Sequence, residues 1–200
     1  MPAKQEILSG LRTIANRYRL WALLLHVCFY VLILALVAKW APAERLMSII
    51  LCLPLITVAT FALITGNPFN GFLFTVLSVL VLITGFTIPD QPVTYSNPVY
   101  LYIGIYMILF GMVYPHFLST RSLPRYLISS PFGLIPCPTL SVVIGFLLIF
   151  NGLGSPAITL ALAGFGLFYG IFGTLKLRVY LDIFLIFGTV VLLVQYLAGR

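Results

Sequence analysis

The sequence predicts an all-α protein: a polytopic transmembrane helix bundle of about seven spans, preceded by an interfacial amphipathic helix. Three observations carry this. Hydrophobic residues make up 62% of the 200 and charged residues only 8%, against roughly 25% charged in a soluble domain. The apolar residues gather into runs close to the ~20 residues that a membrane-crossing helix needs. Pro, Gly, Asn and Asp cluster between the runs, where turns belong. Polar surface is too scarce to cover a water-soluble globule. The formal net charge of +7 does not indicate nucleic acid, because the 11 Lys and Arg are spread between apolar runs, where they act as topology signals.

Two regions follow: an inner-leaflet helix over 1–19 and a single bundle over 20–200. In the first, Ile7, Leu8, Leu11, Ile14, Ala15 and Tyr18 recur at helical spacing, with Arg12, Arg17 and Arg19 mostly on the other side. That pattern suits a helix lying in the membrane interface with its cations near anionic lipid. Gly10, in its middle, weakens helix propensity. The first apolar run, 20–38, is longer than the ~7–15 residues of a signal-peptide core and is expected to be retained. Trp21 and Trp40 bracket it, about 28 Å apart at helical rise, as two aromatic belts would be.

The remaining candidate spans are 47–65, 71–88, 98–114, 139–151, 155–173 and 179–197. Pro54 is expected to kink the second. Asn67-Pro68, Pro89-Asp90-Gln91-Pro92, Ser96-Asn97-Pro98 and Asn151-Gly152-Leu153-Gly154-Ser155-Pro156 punctuate them. With the N-terminus inside and the C-terminus outside, eight cations (Lys4, Arg12, Arg17, Arg19, Arg121, Arg125, Lys176, Arg178) face three (Lys39, Arg45, Arg200). This satisfies the positive-inside rule. A re-entrant fifth segment would leave six crossings and a weaker charge bias. The loop from Pro115 to Pro136 carries His116, Arg121 and Arg125 on the inner side, as topology signals or as contacts to lipid headgroups.

Ionisable groups inside a membrane are costly and mark functional candidates. Two lie within the runs, His26 and Asp182. Asp182 follows Arg178 by four residues, which on one helix predicts an interfacial ion pair. With Asp182 placed at the interface, no carboxylate is expected in mid-membrane. Cys28, Cys52 and Cys137 fall at three depths, too far apart for a disulfide. His26 and Cys28 point to different helix faces. No metal site and no cofactor are expected.

The fifth run opens on Pro136-Cys137-Pro138-Thr139 and spans only about 18–20 Å, short of a ~30 Å bilayer. Its N-terminus is therefore expected some 10 Å inside the inner face, level with His26 at about 9 Å. Pro138 suits the first helical position, with Cys137 flanking it. The N–H groups of Thr139, Leu140 and Ser141 would then point into the space below, a helix terminus suited to an anion or thiolate. Cys137, Thr139, Ser141 and His26 form the candidate ligand-binding set. In the other reading the prolines only start a helix, and Thr139 and Ser141 bond to local backbone. In the sixth run Gly166, Gly170 and Gly173 allow close helix approach, within the monomer or across a homodimer or partner interface.

The stretch "FGLIPCPTLSVVIGFLLI" resembles a bacterial domain-of-unknown-function family of small multi-span membrane proteins, whose Phe-Gly-x-x-Pro-Cys-Pro-Thr motif matches Phe132, Gly133, Pro136, Cys137, Pro138 and Thr139. Echoes in "RYRLWALLLH", "NPFNGFLF" and "YPHF" follow in the same order. Leu140 stands where the family often has a second Thr, and the Trp-Pro pair found near Trp21 in some members is absent. The resemblance implies a bacterial inner-membrane protein and carries no activity. Two function classes stay open: an accessory or assembly subunit, and a small-solute permease or channel with its site at Pro136–Ser141. A membrane enzyme would need a cluster of acid, base or metal groups, which the spacing does not supply.

Overall fold

The computed structural model describes residues 4–119 and 122–199, apart from the Leu123 side chain; Arg121 and Arg200 lie outside them. The nine helices found there are α1 (Lys4–Arg17), α2 (Arg19–Val37), α3 (Glu44–Ile64), α4 (Pro68–Thr87), α5 (Pro98–Met112), α6 (Leu123–Ser129), α7 (Pro136–Ile149), α8 (Pro156–Ile171) and α9 (Ile183–Ala198). The seven expected spans map one to one onto α2, α3, α4, α5, α7, α8 and α9. Five segments are long and apolar enough to cross a membrane: α2, α3, α4, Pro156–Leu177 and Tyr180–Ala198. The outer surface is rich in Leu, Val, Ile and Phe, as lipid contact requires. Pro54 is buried inside α3, which stays a single helix through it.

The short helix α7 is the axle of the bundle. It is apolar on every side, and every residue from Pro138 to Ile149 is buried. A helix of that kind belongs in a core, not against solvent or lipid on one side. It packs on α5, α8, α9 and α3. Its close antiparallel partner is α5. A Cβ on Gly104 would lie 2.6 Å from the Gly145 carbonyl oxygen, one on Gly145 2.7 Å from the Gly104 carbonyl, and one on Gly111 2.5 Å from the Pro138 carbonyl. Glycine is required at this crossing because backbone meets backbone. At the other end of α5, the Ser96 N–H donates to the Ile149 carbonyl at 2.9 Å. So α7 runs the whole length of α5, and the chain enters and leaves it at opposite ends of the bundle, which a re-entrant loop would not do.

Gly166, Gly170 and Gly173 are all committed within the chain. Cβ atoms there would strike Thr189 and Ile144, Ile186, and Asp182, respectively. The close approach they permit within the chain is between α8, α9 and α7.

Helix α1 forms as expected, but its apolar face is covered by protein. Leu11, Ile14 and Ala15 are buried in a cluster with Ala22, Phe61, Tyr114, Phe117, Leu134, Ile135, Leu177 and Val179. The Asn16 amide donates to the Phe117 carbonyl at 3.0 Å, and its oxygen accepts from the Ser119 N–H and hydroxyl. The helix thus caps one end of the bundle, hereafter the Cys137 end. Arg12, Arg17, Arg19 and Arg125 are exposed around it. Helix α2 buries Ala22, Leu25, His26, Phe29 and Leu32, one stripe at helical spacing.

Candidate functional site

At the Cys137 end, three side chains from distant parts of the sequence converge. Asp182 is 2% exposed. The Tyr114 hydroxyl donates to its Oδ1 at 2.7 Å, and the Cys137 thiol donates to its Oδ2 at 3.2 Å. Tyr114 follows the last turn of α5, Cys137 is the second residue of α7, and Asp182 immediately precedes α9. Gly173 makes the room: a Cβ there would fall 1.8 Å from Asp182 Oδ2.

Local chain geometry explains why Asp182 turns inward. After α8 the chain forms a π turn over Phe172–Leu177, and Arg178 then adopts a left-handed conformation at φ 57°. A short 3₁₀ turn, Tyr180–Asp182, leads into α9. Since no continuous helix joins residues 178 and 182, their four-residue spacing does not align them. The expected Arg178–Asp182 pair is thereby corrected. Asp182 lies in the bundle interior while Arg178 is exposed, and among the described residues no cation pairs with the carboxylate.

The first turn of α7 is also shifted. Pro136, not Pro138, takes the first helical position, with Ile135 as N-cap. Pro136 and Pro138 have no N–H to satisfy, so both suit a first turn. The Thr139 N–H bonds to the Ile135 carbonyl at 3.4 Å, so it does not point into an open space. The Thr139 hydroxyl donates to the same carbonyl at 2.7 Å and accepts from the Gly133 N–H at 2.9 Å. Ser141 donates to the Cys137 carbonyl at 3.0 Å. Thr139 and Ser141 therefore serve local backbone, and the segment 130–136 beneath the helix is buried throughout.

His26 belongs to a second cluster. It is fully buried, with Nδ1 2.7 Å from the Ala22 carbonyl, Nε2 2.9 Å from the Met112 carbonyl, and the Ser130 hydroxyl 3.3 Å from Nε2. Ser130 also donates to the Met112 carbonyl at 2.7 Å. The structure thus brings Cys137 to Asp182, and His26 to Ser130 and the end of α5. The two clusters border the same short stretch, Met112 to Tyr114, without sharing a hydrogen bond.

The other thiols stand apart: Cys28 is exposed, and Cys52 is buried and donates to the Ser78 carbonyl at 3.2 Å. Among the described residues no three His, Cys, Asp or Glu gather as a metal site would require. His116 is half-buried beside Phe117. Desolvation, then the positive charge of Arg12, hold its pKa below the ordinary 6.5. Tyr114 and Gly173 were not recognised as site residues from sequence; the only hint was a lone acid within an apolar run.

Two clefts stand out on the molecule, and neither reaches Pro136–Ser141. One is an apolar groove between α5 and α9, lined by Tyr102, Ile103, Tyr106, Ile183, Phe184 and Phe187. The other lies at the far end, between the α7–α8 turn and the end of α9. No family model, no curated protein and no solved structure matches the chain.

Proposed function

We propose that this chain is an accessory or assembly subunit of a bacterial cytoplasmic membrane, acting through its surface and not by conducting a solute. One observation carries the proposal: the central helix α7 is enclosed in apolar side chains. The polar groups at its start, Thr139, Ser141 and Cys137, all have partners within the chain. A permease with its site at the α7 turn needs a polar passage to that turn, and a packed interior does not favour one. The Phe132-Gly133 and Pro136–Thr139 motif fits a structural role. Gly133, at φ 74°, donates to Thr139 and accepts from the Thr57 hydroxyl, binding the turn to α3. The charge bias supports an orientation with the N-terminus and the Cys137 end on the cytoplasmic side.

The test is thiol labelling of Cys137 in sealed vesicles, in a variant with Cys28→Ser and Cys52→Ala. An impermeant maleimide should leave Cys137 unmodified from either side and react only after unfolding. Labelling from one side that a small solute blocks would replace the proposal with the permease reading. In parallel, a photo-crosslinking residue at Tyr102, 68% exposed on the apolar flank, should give one discrete protein adduct in native membranes. Lipid adducts alone would remove the subunit reading.

A further inference from the structure

The Cys137 end of the bundle carries a large excess of positive charge. The chain has four acids, Glu6, Glu44, Asp90 and Asp182. Glu44 and Asp90 lie at the far end, where they balance Lys39 and Arg45, and Asp182 is buried. With Lys4 set against Glu6 in the first turn of α1, six exposed cations remain at the Cys137 end among the described residues: Arg12, Arg17, Arg19, Arg125, Lys176 and Arg178.

Packing gathers these charges from distant parts of the sequence. Leu11 of α1, Phe117 of the loop after α5 and Leu177 of the turn before α9 are buried in one cluster. Each has a basic neighbour that is exposed or half-buried: Arg12, His116, and Lys176 with Arg178. Arg12 is near enough for its charge to act on the His116 ring. Asn16 ties α1 to the same loop through Phe117 and Ser119. The acid closest in sequence to Arg178, Asp182, is turned inward and accepts from Tyr114 and Cys137 instead.

Large apolar side chains stand beside the cations. Leu20 and Trp21 follow Arg19, Leu127 and Ile128 follow Arg125, Leu175 precedes Lys176, and Tyr180 lies two residues after Arg178. All six are exposed, Leu175 at 74% and Tyr180 at 72%. A soluble phosphate or an acidic peptide accounts for the cations only. A phospholipid accounts for both: its phosphate meets guanidinium and ammonium groups, and its acyl chains meet the apolar neighbours. Trp21 and Tyr180 suit the headgroup level between the two.

We infer that this basic rim binds anionic phospholipid in the leaflet at the Cys137 end, through the phosphate of the headgroup. The inference does not rest on the subunit proposal, since it holds whether or not a protein covers the apolar flank of α5 and α9.

The test uses the full chain in vesicles of phosphatidylcholine alone, of phosphatidylcholine with phosphatidylglycerol, and of phosphatidylcholine with soluble glycerol 3-phosphate. Retained lipid is read by native mass spectrometry, and protection of residues 4–19 and 172–180 by hydrogen–deuterium exchange. Phosphatidylglycerol should be retained in preference to phosphatidylcholine, and the preference should shrink as salt is raised, because the charges are exposed. Each cation removed should lower it about fivefold, so Arg12→Gln with Arg178→Gln lowers it about 25-fold. Arg12→Lys with Arg178→Lys should keep most of it, and Lys39→Gln, at the far end, should leave the protection of these segments unchanged. Equal retention of the two lipids, or an equal loss in Lys39→Gln and in the paired Gln variant, overturns the inference. Protection by soluble glycerol 3-phosphate equal to that by phosphatidylglycerol would show a site for free phosphate and overturn the lipid assignment. Should the paired Gln variant fail to fold, the wild-type comparison of the two lipids and its salt dependence decide alone.

Discussion

Cys137 and Asp182 are 45 residues apart in sequence, yet the thiol of one donates to the carboxylate of the other at 3.2 Å. Together with Tyr114, the pair joins the end of α5, the start of α7 and the start of α9. Removing the acceptor in Asp182→Ala leaves the buried Tyr114 hydroxyl and the half-buried Cys137 thiol without it. Each group orphaned in this way costs about 1–3 kcal/mol. Equilibrium unfolding in detergent should show that loss, and Cys137 should become reactive to maleimide in the folded state. Unchanged stability and unchanged reactivity would show that the cluster does not hold these elements together.

The α5–α7 crossing predicts a contrast between two glycine substitutions. Gly145→Ala places a Cβ 2.7 Å from the Gly104 carbonyl oxygen, and overpacking against rigid backbone costs about 1–3 kcal/mol. Gly10→Ala, in the middle of α1, meets nothing within 4 Å and should gain up to about 1 kcal/mol from helix propensity. Thermal unfolding of the two variants should move in opposite directions.

Gly170→Ile should destabilise the chain itself, because the added side chain meets Ile186 and the α9 backbone. Its effect is to be read by unfolding alongside mass measurement in detergent. A loss of stability with no change in oligomeric state is expected. A folded variant that shifts from dimer to monomer would instead place this glycine face between two copies.

His116 gives a pH dependence of defined sign. Its folded-state pKa lies below the ordinary 6.5, through desolvation first and Arg12 second. The unfolded chain therefore binds the proton more readily. The contribution of this residue is fully present above about 6.5 and is lost as the pH falls from there through the folded value. Since His116 is only half-buried, the effect is small. Ring-proton NMR should place its titration below that of a free histidine, and Arg12→Gln should move it upward.

The fold was legible because lipid as solvent forces each crossing into an apolar run, and Pro and Asn mark the ends. Pro98 begins α5 as expected, and Asn97 caps it by accepting from the Val99 and Tyr100 N–H groups. The candidate site was legible in part. The motif points to Cys137, and the structure gives it Asp182 as its partner, where the sequence pattern pairs Asp182 with Arg178. The four-residue spacing of Arg178 and Asp182 implies a pair only on an unbroken helix, and the left-handed Arg178 breaks it. That break is hard to foresee, because nothing in Lys176-Leu177-Arg178-Val179 marks a turn. Gly104 and Gly111 lie two turns apart on one face of α5, but what requires glycine there is the backbone of α7, and no sequence pattern pairs those two helices.

The enclosure of α7 has a consequence for biogenesis. A helix with no lipid-facing side has no finished environment until α8 and α9, which lie after it in the sequence, have been inserted. A nascent chain that has reached only residue 150 holds α7 against α5 with its other flank open. Completion of the protein is then a late event, timed by the arrival of Asp182 at the thiol of Cys137.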